Sequence, residues 1–285
     1  NFHSPFTILS QYGKYARFCP RKVDCRLYLW YNRGMEFRHS HSLGQNFLSD
    51  GNLLSAIAAD ARILPTDDVV EVGAGMGALT RKLAQCARSV TAFEIDERLR
   101  EYLDPLCAEC GNVRVIYGDF MKSDIPVREY KAAANLPYYI TTPVLFRFLD
   151  DPACRSVTVM VQLEVAERMI APPGGKDYGA LSVAVQLAGS ATVTRRVGRH
   201  MFDPPPKVDS AVVRIEKTAA PVTDGVKRLV RAAFSMRRKT LVNCLASCGY
   251  DKIKVLGALS DMGLDPAVRG ERISPQGFTE LAARL

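Results

Sequence analysis

The most informative absence in this 285-residue chain is that of a long apolar stretch. Although 47% of the residues are hydrophobic, no segment approaches the roughly 20 uninterrupted apolar residues that cross a bilayer. The first residues also lack an apolar region followed by a small-residue cleavage site, which argues against a secretory signal. We therefore expect a soluble, cytoplasmic protein with one large core and a smaller second domain.

Metal-binding residues are few and poorly spaced. Only four His are present, and the CxxC pair formed by Cys107 and Cys110 has no second CxxC pair and no nearby His pair beside it. The other six of the eight Cys add no further pair of this kind. These patterns favour ordinary thiols in a reducing compartment, and we expect no metal site.

Negative charge is scarce at both ends of the chain. Residues 1–38 carry 7 Lys/Arg against 2 Asp/Glu, residues 39–220 carry 20 against 22, and residues 221–285 carry 11 against 6. Basic ends that flank a near-neutral centre favour a polyanionic partner such as nucleic acid, although solvated basic faces are common.

Residues 1–38 lack a clear helical or strand period. Their Arg-rich composition loosely resembles an organelle transit peptide. We expect a poorly ordered N-terminal extension of little functional weight, with Met35 as the natural start.

What the chain does have, from residue 39 onward, is an alternation of strand and helix patterns. Ser49-Asp50 is typical of a helix N-cap. Apolar runs then predict about seven strands, at residues 68–72, 89–95, 113–117, 130–134, 156–161, 192–197 and 211–216. Beyond residue 220 the pattern is helical only, with helices predicted at residues 226–235, 237–247, 252–262 and 275–285. We therefore expect an α/β domain at residues 39–220 and a small helical domain at residues 221–285.

A glycine loop follows the first of these strands. Gly73, Gly75 and Gly77 lie between strand and helix, where backbone N–H groups can approach a nucleotide closely. With Ala78 the string also satisfies a dinucleotide-binding pattern, which leaves an NAD-dependent oxidoreductase open. Glu94, about 20 residues further on, is placed to accept both hydroxyls of a ribose.

Two later strands also end in polar residues. Asp119 follows the third strand and could accept a hydrogen bond from an adenine amino group. Asn135-Leu136-Pro137-Tyr138 follows the fourth, where ligands bind in open α/β sheets. The Asn135 side chain and the Leu136 carbonyl could hold a second amino group. Pro137 stiffens the turn, and Tyr138 offers a face for a stacked base.

Phe202 lies in a Pro-rich loop between the last two strands. We expect it to face Tyr138, so that one flipped base is held between two aromatic rings. In the helical tail, Arg237-Arg238-Lys239 is predicted to lie on the second helix and to contact phosphates without recognising bases.

Taken together, these motifs resemble the KsgA family of small-subunit rRNA adenine-N6 dimethyltransferases. The resemblance covers about residues 39–285 and rests on Gln45-Asn46-Phe47-Leu48, Glu71-Val72-Gly73-x-Gly75-x-Gly77, Asn135-Leu136-Pro137-Tyr138, Gly179-Ala180-Leu181-Ser182-Val183, Phe202-x-Pro204-x-Pro206-Lys207-Val208-x-Ser210 and Arg237-Arg238-Lys239-Thr240. One departure is Leu163, where such sequences often carry Lys. Another is Val242, where a basic residue is common.

The resemblance implies an enzyme that depends on S-adenosylmethionine. It implies a Rossmann-like seven-stranded fold with a helical rRNA-binding domain at residues 221–285. It implies that the cofactor contacts Asn46, Leu48, Gly73, Glu94, Asp119 and Asn135, with Phe120 nearby. It also implies that two adjacent adenosines in the 3′-terminal hairpin of small-subunit rRNA, within a pre-ribosomal particle, each receive two methyl groups.

The methyl group would pass in line from the sulfonium to N6, by positioning and hydrogen bonding rather than by a His or Cys base. We expect a monomer that needs neither metal nor membrane. Three alternatives stay open: a large-subunit rRNA methyltransferase that confers antibiotic resistance, a non-catalytic assembly or transcription factor, and the NAD-dependent oxidoreductase.

Overall fold

The computed structural model describes residues 47–48, 50–218, 221–236 and 238–285. These residues all belong to one compact unit. The predictions made for residues 1–38, Met35, Asn46 and Arg237 lie outside the described residues.

The described residues contain nine strands. They are β1 (Phe47–Leu48), β2 (Asp68–Val72), β3 (Ser89–Glu94), β4 (Val113–Tyr117), β5 (Tyr130–Asn135), β6 (Cys154–Gln162), β7 (Gly189–Val197), β8 (Phe202–Asp203) and β9 (Ser210–Lys217). Seven of them form one sheet in the order β4-β3-β2-β5-β6-β9-β7. Strands β2 to β6 are parallel, and β9 lies antiparallel between β6 and β7. The prediction of a seven-stranded α/β fold is confirmed.

Ten α-helices accompany these strands in the described part of the chain. They are α1 (Gly51–Asp60), α2 (Ala78–Ala84), α3 (Arg100–Cys110), α4 (Thr141–Asp150), α5 (Leu163–Ile170), α6 (Ala180–Ala188), α7 (Asp224–Ala233), α8 (Leu241–Ser247), α9 (Lys252–Asp261) and α10 (Pro275–Arg284). The predicted N-cap is confirmed, because the Asp50 carboxylate accepts a hydrogen bond from the Leu53 N–H at 2.8 Å.

The central strands are largely buried and mostly apolar because the sheet is covered on both faces. In β2, Val69 and Val70 are fully buried although they point to opposite faces. Val70 belongs to a cluster that contains Phe93 and Phe148, and Val69 belongs to a second cluster that contains Ile57.

The C-terminal helices have a hydrophobic cluster of their own, which also takes in residues of the α/β body. Phe278 and Leu259 pack in it together with Tyr178 and Val183, and the Tyr178 hydroxyl donates to the Ile273 carbonyl at 2.8 Å. A domain boundary at residue 220 therefore stays a prediction, since the packing continues across it. Among the described helices, none is long and apolar enough to cross a membrane.

Two local predictions were wrong. Helix α8 begins at Leu241 instead of residue 237, because the Thr240 hydroxyl caps it by accepting from the Asn243 N–H at 3.4 Å. Arg238 and Lys239 therefore lie in the turn before this helix and not on it. The second correction concerns Phe202 and Asp203, which form strand β8 instead of a loop and pair with Leu48 and Phe47 of β1.

Candidate active site

Four neighbouring strands present the predicted polar residues at one edge of the sheet. Asp119 follows β4, Glu94 ends β3, the glycine loop follows β2 and Asn135 ends β5, which is their order across the sheet. The strand order reverses between β2 and β5, and a crevice forms at such a switch point in open parallel sheets. The fold thus brings residues from four separate segments together.

The glycine loop packs directly against the Asn-Leu-Pro-Tyr turn. Gly73, Gly75 and Gly77 all have positive φ, at 77°, 57° and 81°, a conformation that other residues rarely adopt. A Cβ on Gly73 would lie 3.4 Å from Pro137 Cδ, and one on Gly77 would lie 2.6 Å from Leu106 Cδ1. Side chains at these positions would disturb the loop, so glycine keeps its backbone open to a ligand.

Glu94 connects the end of β3 to this loop. Its carboxylate is 6% exposed and accepts hydrogen bonds from the N–H groups of Gly75 and Asp96, each at 2.9 Å. Burial raises the pKa of the Glu94 carboxyl. Each oxygen keeps a further acceptor position, so the group can hold the loop and also bind a ribose hydroxyl.

Asp119 has a more open position. One oxygen accepts from the Met121 N–H at 2.9 Å, and the side chain, 35% exposed, lies 3.6 Å from the Lys122 ammonium. The second oxygen receives no hydrogen bond from the described residues and can accept one from an amino group.

The two carbonyls of the Asn-Leu-Pro-Tyr turn differ in their partners. The Pro137 carbonyl accepts from the Ile140 N–H and the Thr141 hydroxyl, both at 3.1 Å. The Leu136 carbonyl receives no hydrogen bond from the described residues, although Leu136 is only 1% exposed. Buried acceptors without a partner are uncommon and mark places where a ligand donor can bind.

Tyr138 is held in place by Ser210, to which no role of its own was assigned from the sequence. Its hydroxyl lies 2.8 Å from the hydroxyl of Ser210, which is fully buried at the start of β9. This bond fixes the ring of Tyr138 at the site. Burial raises the pKa of the Tyr138 phenol, so the group is neutral at physiological pH.

Phe202 and Phe120 lie in the core. Phe202 is 5% exposed and packs in the same cluster as Leu48, its partner in the β1 and β8 pair. Phe120 is 4% exposed and meets the Phe93 ring edge-on, with ring centroids 5.0 Å apart. Neither ring presents an open face here, and a stacking role for Phe202 stays a prediction.

Glu71, in the strand before the glycine loop, was given no role of its own in the sequence analysis. Its side chain is 1% exposed, next to Glu94, and burial raises its pKa to about 8. Neither its Oε2 atom nor the Thr80 hydroxyl beside it has a hydrogen-bond partner among the described residues. Burial thus favours the protonated, neutral form of this carboxyl in the strand that leads into the glycine loop.

Three large apolar side chains stay exposed around the same edge. Ile95, Tyr139 and Met121 follow Glu94, Tyr138 and Phe120 and are 50%, 54% and 41% exposed. In the sequence, each of these three apolar residues directly follows a polar or aromatic site residue. That pattern could have been used to predict them. Together with the glycine loop and Glu94, they form a surface that fits a nucleoside. Among the described residues, no group of His, Cys, Asp and Glu can hold a metal ion.

This fold and this site define an α/β methyltransferase that takes a nucleoside-bearing cofactor, and comparisons with known proteins narrow the class. A family model described as ribosomal RNA adenine dimethylase matches residues 36–282. The ribosomal RNA small subunit methyltransferase A of Moorella thermoacetica is 43% identical over 263 residues, which cover 86% of this chain and 91% of that protein. The protein of the same name from Bacillus thuringiensis is 42% identical over 268 residues, which cover 87% and 92%.

Solved structures agree. A dimethyladenosine transferase from Plasmodium falciparum superimposes with a TM-score of 0.72 at 29% identity, over 82% of this chain and 95% of that one. The 23S rRNA methyltransferase ErmE gives a TM-score of 0.67 at 29% identity, over 84% and 99%. The chain belongs to the ribosomal RNA adenine dimethylase family, so the predictions of its family and of a methyltransferase activity are confirmed.

Proposed function

We propose that the chain transfers methyl groups from S-adenosylmethionine to N6 of two adjacent adenosines in the 3′-terminal hairpin of small-subunit rRNA, within a pre-ribosomal particle. The observation that carries this proposal is the packing of Gly73 against Pro137, with 3.4 Å between an added Cβ and Pro137 Cδ. Because the cofactor loop and the Asn-Leu-Pro-Tyr turn share one crevice, a cofactor and a target amine held by them lie next to each other.

S-adenosylmethionine supplies an electrophilic methyl group on a sulfonium. Its nucleoside half fits the groups found at the sheet edge: Glu94 for the ribose hydroxyls, Asp119 for the adenine amine and the exposed Ile95 for the face of the base. The rest of the cofactor would be bordered by the glycine loop, Leu48 and Asn135. Phe120 supports the site from the core. Asn46, which lies outside the described residues, completes the proposed set.

The Asn-Leu-Pro-Tyr turn would prepare the target amine for attack. The Asn135 side chain and the Leu136 carbonyl accept its two N–H groups, which favours a localised lone pair on nitrogen. Pro137 has no N–H to compete for these acceptors, and Tyr138, fixed by Ser210, stacks on the base. The amine becomes acidic as it is alkylated, so its proton can pass to water, and catalysis is mostly positioning and electrostatics.

The C-terminal helices, residues 221–285, would anchor the RNA. Arg238 and Lys239 are exposed in the turn before α8, and neither lies within 4.0 Å of a carboxylate in the described part of the chain. With Arg237, they are proposed to contact phosphates. Each phosphate contact releases counterions when the RNA binds. Removing these basic side chains should therefore weaken RNA binding and reduce its dependence on salt concentration.

The test is mass spectrometry of rRNA from cells with and without the protein. We expect two dimethyladenosines to disappear from small-subunit rRNA when the protein is absent, and to return when it is supplied. The Asn135→Ala variant serves as the inactive control.

A loss from large-subunit rRNA would instead support the second candidate function, which the likeness to the 23S rRNA methyltransferase ErmE favours. If neither rRNA changes, a non-catalytic role on the same fold becomes the better account.

A further inference from the structure

A cleft of about 580 Å³ opens between the C-terminal helices, away from the sheet edge. Arg228, Arg231 and Ala232 of α7 form one wall, and Cys248, Gly249 and Tyr250 of the turn between α8 and α9 form the other. Its volume lies within the roughly 300–1,000 Å³ typical of ligand sites. No step of the proposed reaction uses these residues.

The charge of the cleft is positive and not neutralised. Arg228 and Arg231 are exposed and lie one turn apart on the same face of α7. Within the described part of the chain, neither guanidinium is within 4.0 Å of a carboxylate. The neighbouring Lys227 differs, since it lies 2.8 Å from Asp150 and 3.6 Å from Asp224. Two adjacent guanidinium groups without partners match the oxygens of a phosphodiester.

The acidic residue next to the cleft, Asp251, forms no ion pair with Arg228 or Arg231 in the described part of the chain. The Asp251 carboxylate accepts hydrogen bonds from the N–H groups of Ile253 at 2.7 Å and Lys254 at 3.1 Å, which cap α9. It is thus occupied by its own helix, and Lys252 and Lys254 follow it as exposed cations.

The opposite wall supplies an aromatic ring. Tyr250 is half-buried, and its N–H donates to the Leu245 carbonyl at 3.1 Å. Gly249 before it has φ of 90°, so the chain turns there through a conformation that a side chain would disfavour. A basic groove that contains an aromatic ring is typical of sites for unpaired nucleotides, where phosphates meet the cations and a base stacks on the ring.

The position of the cleft separates it from the chemistry. Helix α7 meets the last residue of α4 through the Lys227 and Asp150 pair, whereas the Asn-Leu-Pro-Tyr turn precedes the first residue of α4. A helix of this length spans about 15 Å. A group bound in the cleft would therefore act by anchoring the RNA and not in the reaction.

We propose that this cleft binds an unpaired nucleotide of the RNA substrate, with Arg228 and Arg231 on the phosphates and Tyr250 stacked on the base. The proposal rests on the proposed function, since it takes RNA as the substrate. It adds a second contact, distinct from the basic turn of Arg238 and Lys239.

The test measures binding of a short fluorescent oligouridylate to the full chain at several salt concentrations. We expect the Arg228→Ala, Arg231→Ala double variant to bind more weakly and to lower the slope of log affinity against log salt by about 1.4, since single strands release about 0.7 counterions per contact. Tyr250→Leu should lower affinity about tenfold at an unchanged slope, because it removes stacking but no charge.

A matched control removes two charges elsewhere. Arg114 of β4 and Arg128 before β5 are exposed near the amino ends of the strands, and in the described part of the chain they have no ion-pair partner. The Arg114→Ala, Arg128→Ala variant should bind like the parent. RNA should also slow alkylation of the exposed Cys248 thiol, measured by peptide mass spectrometry, without slowing that of the exposed Cys86.

The outcomes separate this proposal from the proposed function. Suppose that the parent protein methylates small-subunit rRNA and that the arginine variant keeps the parental affinity and salt slope. That result would overturn the cleft proposal alone. Suppose instead that the parent protein does not methylate rRNA but that the variants still lose oligouridylate binding. That result would overturn the proposed function alone. Protection of Cys248 by an acidic peptide and not by RNA would overturn the RNA assignment and point to an acidic protein partner.

Discussion

The sheet edge and the C-terminal helices handle charge in opposite ways. At the edge, Glu71 and Glu94 are almost completely buried, and Glu94 is held by backbone N–H groups. On the helices, Arg228 and Arg231 are exposed and have no carboxylate partner among the described residues. Buried groups are costly to disturb singly, whereas exposed cations act additively and are screened by salt. This difference in burial agrees with the proposal that the edge performs the chemistry and the helices anchor the RNA.

The largest effect that would sharpen this contrast is expected at Asn135. Replacement by Ala removes one positioned acceptor at the reacting centre, so the methylation rate should fall about 10² to 10³-fold. The measurement is a single-turnover rate with cofactor and RNA saturating. The same substitution at the exposed Asn52 of α1 is the matched control.

RNA affinity should change much less than the rate in the Asn135 variant. A parental rate would remove Asn135 from the reaction. Loss of RNA binding as severe as the loss of turnover would make this turn part of the docking surface, and the contrast between the two regions would disappear.

The second effect concerns pH and Glu71. In the folded protein its pKa is raised to about 8, so between the unfolded value of about 4.5 and pH 8 the folded state holds a proton that the unfolded state has lost. Glu71 should thus lower the unfolding free energy by up to about 1.4 kcal/mol for each pH unit in that window. Denaturant unfolding of the parent and of Glu71→Gln tests this.

The glutamine variant keeps the shape but cannot ionise. Its stability should decline less with rising pH, and the two proteins should converge near pH 5. Parallel pH profiles would show that Glu71 does not hold a proton beneath the glycine loop.

A third, smaller effect is expected for cofactor binding. Glu94→Ala should weaken S-adenosylmethionine binding by about 2 kcal/mol, roughly 30-fold, the scale for hydrogen bonds to a charged group. The affinity of the Glu94→Gln variant should lie between those of the parent and the Ala variant, since one side-chain oxygen can still accept from Gly75 or from a ribose hydroxyl. Isothermal calorimetry on both variants decides, and unchanged affinity in a folded Ala variant would exclude Glu94 from the cofactor site.

The smallest expected effect is on kcat and tests how Ser210 positions the Tyr138 ring. Ser210→Ala removes one hydrogen bond to Tyr138 and should lower kcat about 3- to 10-fold, the range for a net loss of about 0.5–1.5 kcal/mol. Tyr138→Phe should give a similar loss, and the double variant should add little to either. Fully additive losses would mean that the two hydroxyls act separately.

The parallel core, and the meeting of the candidate site residues at one edge of it, could be predicted from the sequence because local and global signals agree there. Strands such as β2 are short, mostly apolar segments, and each is followed by or ends in a polar or glycine residue that the parallel topology carries to one edge. Glu94 and Asn135 could thus be singled out without coordinates. That Glu71 is neutral could not be foreseen, because its pKa depends on burial by residues from several segments.

Short elements could not be predicted correctly from the sequence. Strands β1 and β8 have two residues each, too few for any period, and their pairing is wholly tertiary. Helix α8 was placed too early because Arg and Lys favour helices, whereas the Thr240 cap decides the start. Val242, which departs from the basic residue common in similar sequences, is 3% exposed in the helical core. The cleft between α7 and Tyr250 needed the packing of three helices.

The pairing of Leu48 with Phe202 also orders events during synthesis of the chain. The two partners are separated by most of the α/β body, and a ribosome adds only about 5–20 residues per second. The glycine loop and the Asn-Leu-Pro-Tyr turn therefore emerge several seconds before Phe202 does. A nascent chain stalled between them would contain the glycine loop and the Asn-Leu-Pro-Tyr turn but not the strand with which Leu48 pairs.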